Sequence, residues 1–183
     1  GSVRLNWSRG NSCQRGINIE NPNLQPTCWI EFNNYQPSFN PISTIISQYE
    51  KRNPDSILSH CKTFAYGQAI QARREAQAAG YDDALLLNTN NEMCCGTVAN
   101  LIIKRNQKYI TPHISSGCLG GIMREQGLEK GIFQEEKINA TPLEKDQWFL
   151  INSLSCHPIH IVGNMELKIC ATPEKLWKSL FSK

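Results

Sequence analysis

The centre of the chain, residues 84–111, reads ALLLNTNNEMCCGTVANLIIKRNQKYIT. Its apolar runs are short, and they alternate with tight turns rich in Asn, Gly and Thr. Short apolar runs bounded by turn residues are typical of strands that are buried in a sheet. The pattern predicts four strands arranged as a meander, at 84–87, 92–97, 99–103 and 108–111.

Helices and further strands are predicted on both sides of this meander. A long helix covers 63–79, where Ala, Gln, Arg and Glu predominate until Gly80 ends it. The remaining elements follow in chain order: a short helix at 122–128, a capping box for another helix at 141–144, strands at 148–152, 158–162 and 165–170, and a final helix from Thr172-Pro173. Such a mixture predicts an α/β or α+β domain built around a curled sheet.

The first part of the chain is expected to be separate from this domain. Two short strands are predicted at 3–7 and 27–32, joined by a loop that contains Arg9-Gly10 and Arg15-Gly16. The next stretch, 34–42, is polar and rich in Asn and Pro, which favours a linker. Two strands alone do not form a stable sheet.

Composition excludes several classes of protein. The 183 residues are 40% hydrophobic and 19% charged, and the net charge is +3. The electrostatic field of so small a charge is too weak to predict nucleic-acid or membrane binding. No apolar run approaches the roughly 20 residues that span a bilayer, so a soluble, unsecreted protein is expected. The eight cysteines are spread along the chain and are expected to be reduced. Cys156-His157-Pro158-Ile159-His160 lacks the spacing of a zinc site, and no metal is predicted.

Two features of the sequence indicate a chemical role on physical grounds alone. The loop Ser115-Ser116-Gly117-Cys118-Leu119-Gly120-Gly121 leads into a helix, whose free amides and positive dipole end suit a phosphate. Lys62 lies between Ile57-Leu58 and Phe64, where partial burial would lower the pKa of its amine and make it nucleophilic. On spacing alone, a structural turn and a solvated lysine are the commoner outcomes.

The motifs taken in order resemble the class IV, or fold type IV, pyridoxal-phosphate enzymes. This family includes branched-chain and D-amino-acid aminotransferases and aminodeoxychorismate lyase. The motifs that carry the resemblance are Cys61-Lys62-Thr63, Asp82 to Leu87, Cys95-Gly96-Thr97-Val98-Ala99-Asn100-Leu101, Tyr109 to Pro112, Gly117 to Arg124 and Phe149 to Leu154. The lyase branch is favoured by Ser8-Arg9-Gly10, Arg15-Gly16, Arg52-Asn53-Pro54 and Gly121-Ile122-Met123-Arg124.

The resemblance implies a role for each matching residue. Lys62 matches the lysine that carries pyridoxal 5'-phosphate and moves protons. The other positions that the resemblance assigns to cofactor binding are Cys95, Thr97, Gly121, Ile122, Met123, Asn152 and Ser153. Arg9 and Arg15 match arginines that face substrate carboxylates, a task that suits a guanidinium.

Three departures from the family pattern stand out. Cys95 occupies the position of the usual glutamate that pairs with the pyridine nitrogen, and this disfavours transamination more than elimination. Ala65 replaces a common asparagine, so that Tyr66 either supplies a polar contact instead or packs as an ordinary helix residue. Family members also carry an N-terminal α/β domain of which only the last strands match, and the Gly1-Ser2 start is typical of a cleavage remnant.

The implied organisation and function follow. Residues 1–33 match the end of the N-terminal α/β domain, 34–42 a linker, and 43–183 the barrel-like C-terminal domain that binds the cofactor. The predicted function is a lyase that converts 4-amino-4-deoxychorismate to 4-aminobenzoate and pyruvate in folate biosynthesis. A branched-chain or D-amino-acid aminotransferase, and an inactive truncated remnant, are the alternatives. The resemblance also implies a cytoplasmic homodimer with a small-molecule substrate.

Overall fold

The computed structural model describes residues 1–11, 15–16 and 25–181. These residues form eleven strands and three α-helices. The chain divides into two compact units, Gly1–Gln36 and Pro37–Lys183. The division falls within the stretch 34–42, and the assignment of domains on either side of it stays a prediction.

The first unit contains an antiparallel pair of strands, β1 (Ser2–Ser8) and β2 (Thr27–Asn33), which confirms both strands predicted there. Their register places Val3 opposite Phe32 and Leu5 opposite Ile30 on one face, and all four side chains are exposed. On the other face, Glu31 accepts hydrogen bonds from Asn6 Nδ2 (3.1 Å) and Trp29 Nε1 (2.9 Å).

The second unit contains the remaining elements. They are β3 (Ile42–Arg52), α1 (Gly67–Ala78), β4 (Asp83–Asn88), β5 (Met93–Gly96), β6 (Asn100–Arg105), β7 (Lys108–Pro112), α2 (Ile122–Glu129), β8 (Phe133–Glu136), β9 (Gln147–Asn152), β10 (Ser155–Val162), β11 (Met165–Glu166) and α3 (Pro173–Ser179). Two short 3₁₀ helices, Ile57–His60 and Ile114–Ser116, lie in the connections. The predicted meander is confirmed as the antiparallel order β4-β5-β6-β7.

Six strands close into a barrel. Around the ring, β10 pairs with β3, β3 with β4, β4 with β5, β5 with β6, β6 with β9, and β9 returns to β10. The strands β7 and β8 extend the sheet from β6, and β11 extends it from β10. The mixed α+β fold with a curled, barrel-like sheet is therefore confirmed.

Successive side chains of a strand point to opposite faces of the sheet, and this explains why the strand sequences contain continuous apolar runs. Leu101 and Ile103 of β6 join one buried cluster with Trp148 and Leu150 of β9. The intervening Ile102 joins a second cluster that includes Met123 of α2 and Leu176 of α3. Because both faces of the sheet are covered, the central positions of these strands, 101–103 and 148–151, are unbroken apolar runs.

Helix α1 packs against another part of the sheet through small residues. Ala72 and Ala76 are fully buried against Ala84 and Leu86 of β4. The larger apolar side chains of this segment do not contribute, because Phe64 lies outside the helix and Ile70 is 55% exposed. The helix begins at Gly67, four residues later than the predicted start at 63.

Two other predictions of secondary structure were wrong, and two strands were missed. The capping box at 141–144 starts no helix, since the Leu143 amide donates instead to the buried carboxylate of Asp146 (3.1 Å). The strand predicted at 165–170 ends at Glu166. The strands β3 and β8 were not predicted.

No described helix is long and apolar enough to span a membrane.

Asp146 ties two strand ends together. Its two oxygens accept hydrogen bonds from Arg105 Nε (2.9 Å) and Nη2 (2.7 Å), and the Trp148 indole donates to it at 3.2 Å. Burial by itself would raise the pKa of Asp146, but the Arg105 guanidinium, the Leu143 amide and the Trp148 indole outweigh it and lower that pKa.

We expect Asp146→Asn to lower the free energy of unfolding by about 2 kcal/mol near neutral pH, because it leaves the largely buried Arg105 without its counter-ion. A carboxyl whose pKa is lowered in the folded state stabilises it above the ordinary carboxyl pKa and ceases to do so as the pH falls through the lowered value. The deficit of the variant should therefore shrink in acid. Urea unfolding at a series of pH values measures it.

The matched control is Glu174→Gln, which removes an exposed ion pair with Lys178 on α3. It should leave the free energy of unfolding nearly unchanged, because exposed pairs of this kind contribute little. Equal losses in the two variants, or a deficit for Asp146→Asn that does not change with pH, would contradict the assignment.

Candidate active site

Lys62 lies in the connection between the 3₁₀ helix Ile57–His60 and α1, and its side chain is exposed. The prediction that Lys62 is partly buried is wrong, because Ile57, Leu58 and Phe64 are themselves more than half exposed. Its Nζ donates a hydrogen bond to the Tyr66 hydroxyl (2.9 Å) and lies 5.6 Å from the centre of that ring. Tyr66 therefore supplies a polar contact to the lysine.

Arg52, at the end of β3, joins the segment before Lys62 to the glycine-rich loop. Its Nη2 donates to the Ser59 carbonyl (2.7 Å), and its Nε donates to the Gly117 carbonyl (3.3 Å). Gly117 has a positive φ of 88°, and a Cβ there would come within 3.0 Å of Pro54. The two segments are therefore packed backbone to backbone, which only glycine permits.

Cys95 lies on β5, beside Cys94, at a β-bulge where β4 and β5 shift register. Both thiols are buried against α1 and Cys118. Contact with the Cys94 thiol and the charge of the Arg52 guanidinium lower the pKa of Cys95 against the opposing effects of burial and of Asp83. Contact with Cys95 and burial raise the pKa of Cys94.

Thr97 follows β5 and is engaged in a local network. Its hydroxyl donates to Asp83 Oδ1 (2.6 Å) and accepts from Arg73 Nη2 (2.7 Å) and Nε (3.0 Å). Arg73 also forms an ion pair with Asp83 at 2.7 Å. The network joins α1 to β4 and the β5–β6 turn. In this arrangement the Thr97 hydroxyl serves the scaffold, and its predicted role in cofactor binding stays a prediction.

The glycine-rich loop ends at the N-terminus of α2. Gly121 is the N-cap residue, and no side chain caps the helix. The amides of Ile122 and Met123 have no hydrogen-bond partner among the described residues. Two free amides at the positive end of a helix dipole form a suitable site for an anion.

Asn100 holds this helix end against the barrel. Its Nδ2 donates to the Leu119 carbonyl (2.7 Å), and its Oδ1 fills the space that a Cβ on Gly121 would need. In the sheet, Asn100 lies opposite Cys95 of β5 and Ile151 of β9. Cys95 and the N-terminus of α2 therefore lie at the same end of the barrel.

Arg124 anchors α2 from the inside. Only 1% of this residue is exposed, and its guanidinium donates to Glu135 of β8 and to the Pro112 carbonyl (3.1 Å). Burial would raise the pKa of Glu135, but the Ile114 amide and Arg124 lower it. The paired charges fix the direction of the helix relative to the sheet.

Asn152 ends β9 at the same end of the barrel. Its Nδ2 donates to the Val98 carbonyl (3.3 Å), and its Oδ1 accepts from the Leu154 amide (2.8 Å) and the Ser155 hydroxyl (3.2 Å). Ser153 lies in the exposed turn that follows. The turns after β5 and β9 are therefore joined by Asn152, beside the loop that Asn100 holds.

Arg9 and Arg15 belong to the first unit and are exposed. Arg9 directly follows β1. Their predicted role in binding substrate carboxylates stays a prediction, as do the cofactor roles of the other assigned residues.

Sequence reasoning missed two residues that organise the site, Arg52 and Asn100. Both lie inside motifs that carried the family resemblance, but their hydrogen bonds reach residues 65 and 19 positions away. Together they bring the Lys62 segment, Cys95 and the free amides of α2 to one end of the barrel. A lysine amine at the same end of the barrel as an anion site suits a phosphate-bearing cofactor that a lysine holds covalently.

Comparison with known proteins identifies relatives over most of the chain. The family described as Amino-transferase class IV matches residues 1–162. A Rickettsia felis protein assigned as a branched-chain-amino-acid aminotransferase is 33% identical over 138 residues, which are 73% of this chain and 47% of that protein. A Schizosaccharomyces pombe protein assigned as an aminodeoxychorismate lyase is 33% identical over 86 residues, 47% of this chain and 37% of that protein.

Solved structures share the fold. A Legionella pneumophila structure assigned as a 4-amino-4-deoxychorismate lyase has a TM-score of 0.83 and 26% identity, and the match covers 97% of this chain and 68% of that one. The Escherichia coli branched-chain amino acid aminotransferase has a TM-score of 0.85 at 18% identity, covering 98% and 64%. The chain spans about half the length of the Rickettsia relative, 47%.

We expect Arg52→Met to loosen the segment before Lys62, because the carbonyls of Ser59 and Gly117 lose a charged donor. Hydrogen exchange at the amides of Ser59 and Cys61, which bond within this segment, should be roughly tenfold faster, corresponding to about 1.5 kcal/mol. Arg74→Met on the exposed face of α1 is the control and should leave both amides unchanged. Equal protection in Arg52→Met and the wild type would contradict the role of Arg52.

We expect Gly121→Ala to destabilise the protein by about 2 kcal/mol, because the new methyl group collides with Asn100 and displaces it from the Leu119 carbonyl. Urea unfolding measures the loss. Gly67→Ala is the matched control: nothing lies within 4 Å of its Cβ position, and it starts a helix. That variant should be as stable as the wild type or slightly more stable, and an equally stable Gly121→Ala would show that Asn100 does not pack as described.

Proposed function

The chain belongs to the class IV aminotransferase family, and we propose that it is a pyridoxal-phosphate-dependent lyase that releases pyruvate from 4-amino-4-deoxychorismate and leaves 4-aminobenzoate. The observation that carries the proposal is the convergence of a lysine segment, two free helix amides and a buried thiol at one end of the barrel. The 26% identical Legionella structure and the Schizosaccharomyces relative, both assigned as such lyases, support the choice within the family.

The residues at this end of the barrel fit the cofactor. The free amides of Ile122 and Met123 would bind its phosphate, and the absent side chain at Gly121 leaves these amides close to Asn100. Lys62 would hold it covalently, with Tyr66 orienting the amine through the 2.9 Å hydrogen bond. Cys95 would face the ring nitrogen, the position that the resemblance gives it.

Lys62 is proposed to act as base and then as acid. Bound pyridoxal phosphate would supply an electron sink for the carbon that bears the substrate amine. The freed amine of Lys62 would take the proton from that carbon, and it would return a proton as pyruvate leaves. Arg9 and Arg15 are proposed to bind the substrate carboxylates, which a guanidinium can do with two parallel hydrogen bonds.

Cys95 favours elimination over amino transfer. A carboxylate opposite the ring nitrogen would keep it protonated and strengthen the electron sink. A thiol does so less well, even though Cys94 and Arg52 lower its pKa. Elimination from the proposed substrate has an additional driving force, because it makes the product ring aromatic, and it therefore depends less on the cofactor's electron demand.

An aminotransferase is the second candidate. Several relatives that match this chain, including the one from Rickettsia felis, are assigned as branched-chain-amino-acid aminotransferases. The two activities differ in the cofactor: an amino donor such as leucine would leave it in the pyridoxamine form, whereas the lyase reaction returns it unchanged.

The first test locates the cofactor. Pyridoxal phosphate is added, the complex is reduced with borohydride, and the labelled peptide is mapped. Lys62 should carry the label, Lys62→Ala should not be labelled there, and Lys175→Ala on α3 should be labelled at Lys62 as the wild type is. A label confined to another lysine would contradict the assignment, and no label at all would favour the inactive-remnant alternative.

The second test separates the two activities. Pyruvate and 4-aminobenzoate release is compared with amino transfer from leucine, in the wild type and in Cys95→Glu. The glutamate should raise amino transfer relative to pyruvate release by about tenfold or more, the effect of about 1.4 kcal/mol of electronic stabilisation. Cys28→Ser in the first unit is the control. Amino transfer that already dominates in the wild type would select the second candidate.

A further inference from the structure

A basic cleft lies beside the turn that joins β6 to β7. Its volume is about 440 Å³, and it is lined by three lysines and three carboxamides: Lys104, Lys145, Lys168, Asn106, Gln107 and Gln147. No carboxylate lines it. A concave surface with one sign of charge concentrates the electrostatic potential and attracts ions of the opposite sign.

The three lysines have no acidic partners. None of them makes a salt bridge with any residue in the described part of the chain. Of the two acidic residues adjacent to Lys145 in sequence, Asp146 is already engaged by Arg105 and Trp148, and Glu144 does not line the cleft. The cleft therefore keeps its positive charge.

The lysines are attached to rigid parts of the fold. Lys104 lies on the central strand β6 between Tyr109 and Gln147, and its Nζ is 5.5 Å from the centre of the Tyr109 ring. Lys145 precedes the buried Asp146. Lys168 follows Leu167, which is buried and whose amide donates to the His160 carbonyl (2.8 Å). Anchored backbones reduce the entropy lost when several lysines bind one ligand.

The cleft is distinct from the candidate active site. Asn100 begins β6 next to the N-terminus of α2, whereas Lys104 lies four residues further along the same strand. At about 3.3 Å per residue, roughly 13 Å of strand separates the two positions. Asn106 and Gln107 lie further still, in a tight turn with positive φ angles of 48° and 66°.

We propose that this cleft binds a small multivalent oxyanion of the phosphate class. Three ammonium groups match the charge of a diphosphate or a phosphate ester, and the amide nitrogens of Asn106, Gln107 and Gln147 can donate to the oxygens that the lysines leave unbound. A nucleic acid is disfavoured, because the basic groups form one bounded cleft without an exposed aromatic platform for bases among its lining residues.

Calorimetric titration with inorganic diphosphate tests the proposal, at constant ionic strength and with pyridoxal phosphate present to saturate the free amides of α2. One diphosphate should bind per chain. Lys104→Met, Lys145→Met and Lys168→Met should each weaken binding by roughly two- to fivefold, the contribution of one exposed charge pair. The triple variant should bind diphosphate roughly 8- to 125-fold more weakly, the product of the three single losses.

Lys175→Met is the matched control, because Lys175 is an exposed lysine on α3 outside the cleft. It should leave diphosphate affinity unchanged, and all the variants should retain the pyridoxal-phosphate affinity of the wild type. Diphosphate affinity that the triple variant retains would overturn the proposal. So would a single-stranded RNA that binds through these lysines when diphosphate does not. If pyridoxal phosphate does not bind but diphosphate does, the proposed function is contradicted and the proposal for this cleft is not.

Discussion

Strand β9 makes two antiparallel ladders, one with β6 and one with β10, and these ladders close the barrel. Without β9, the sheet would keep two open edges, and the alternate side chains of β6 would lose the cluster formed by Trp148 and Leu150. Closure also fixes one end of the barrel, because Ile151 of β9 lies opposite Asn100 and Asn152 reaches the Val98 carbonyl. The same hydrogen bonds that complete the fold therefore place the residues of the candidate site.

The elements that the sequence predicted well are those with local signals. The meander has short apolar runs separated by turn residues, and α2 follows a glycine-rich loop, so strands and helix were predicted within one or two residues. Strand β3 gave no such signal. Its fully buried positions are Thr44 and Ser47, whose hydroxyls bond to the Ile161 carbonyl and to Glu75. A core strand whose inward residues are polar does not show an apolar alternation.

The site was predictable to a similar degree. A glycine-rich loop before a helix indicates an anion site from local chemistry, and the resemblance pointed to Lys62. What no local pattern contains is the set of contacts that join these pieces: Arg52 to Gly117 across 65 residues, and Asn100 to Leu119 across 19. The exposure of Lys62 could not be predicted for the same reason, because the burial of a side chain depends on residues that are distant in sequence. Hydrogen bonds between remote segments are set by the closed fold.

The charge of Arg52 distinguishes it from the other arginines built into the barrel unit. Arg73, Arg105 and Arg124 each pair with a carboxylate, whereas Arg52 donates to two carbonyl groups and has no acidic partner among the described residues. Its positive charge is therefore not neutralised by a carboxylate, and it adds to the larger effect of Cys94 in lowering the pKa of Cys95. A cation held by backbone carbonyls in this way keeps an attractive field for an anionic ligand. Arg52 lies between the Lys62 segment and the loop that leads to α2, so its field would add to that of the helix dipole for an anion bound at the N-terminus of that helix.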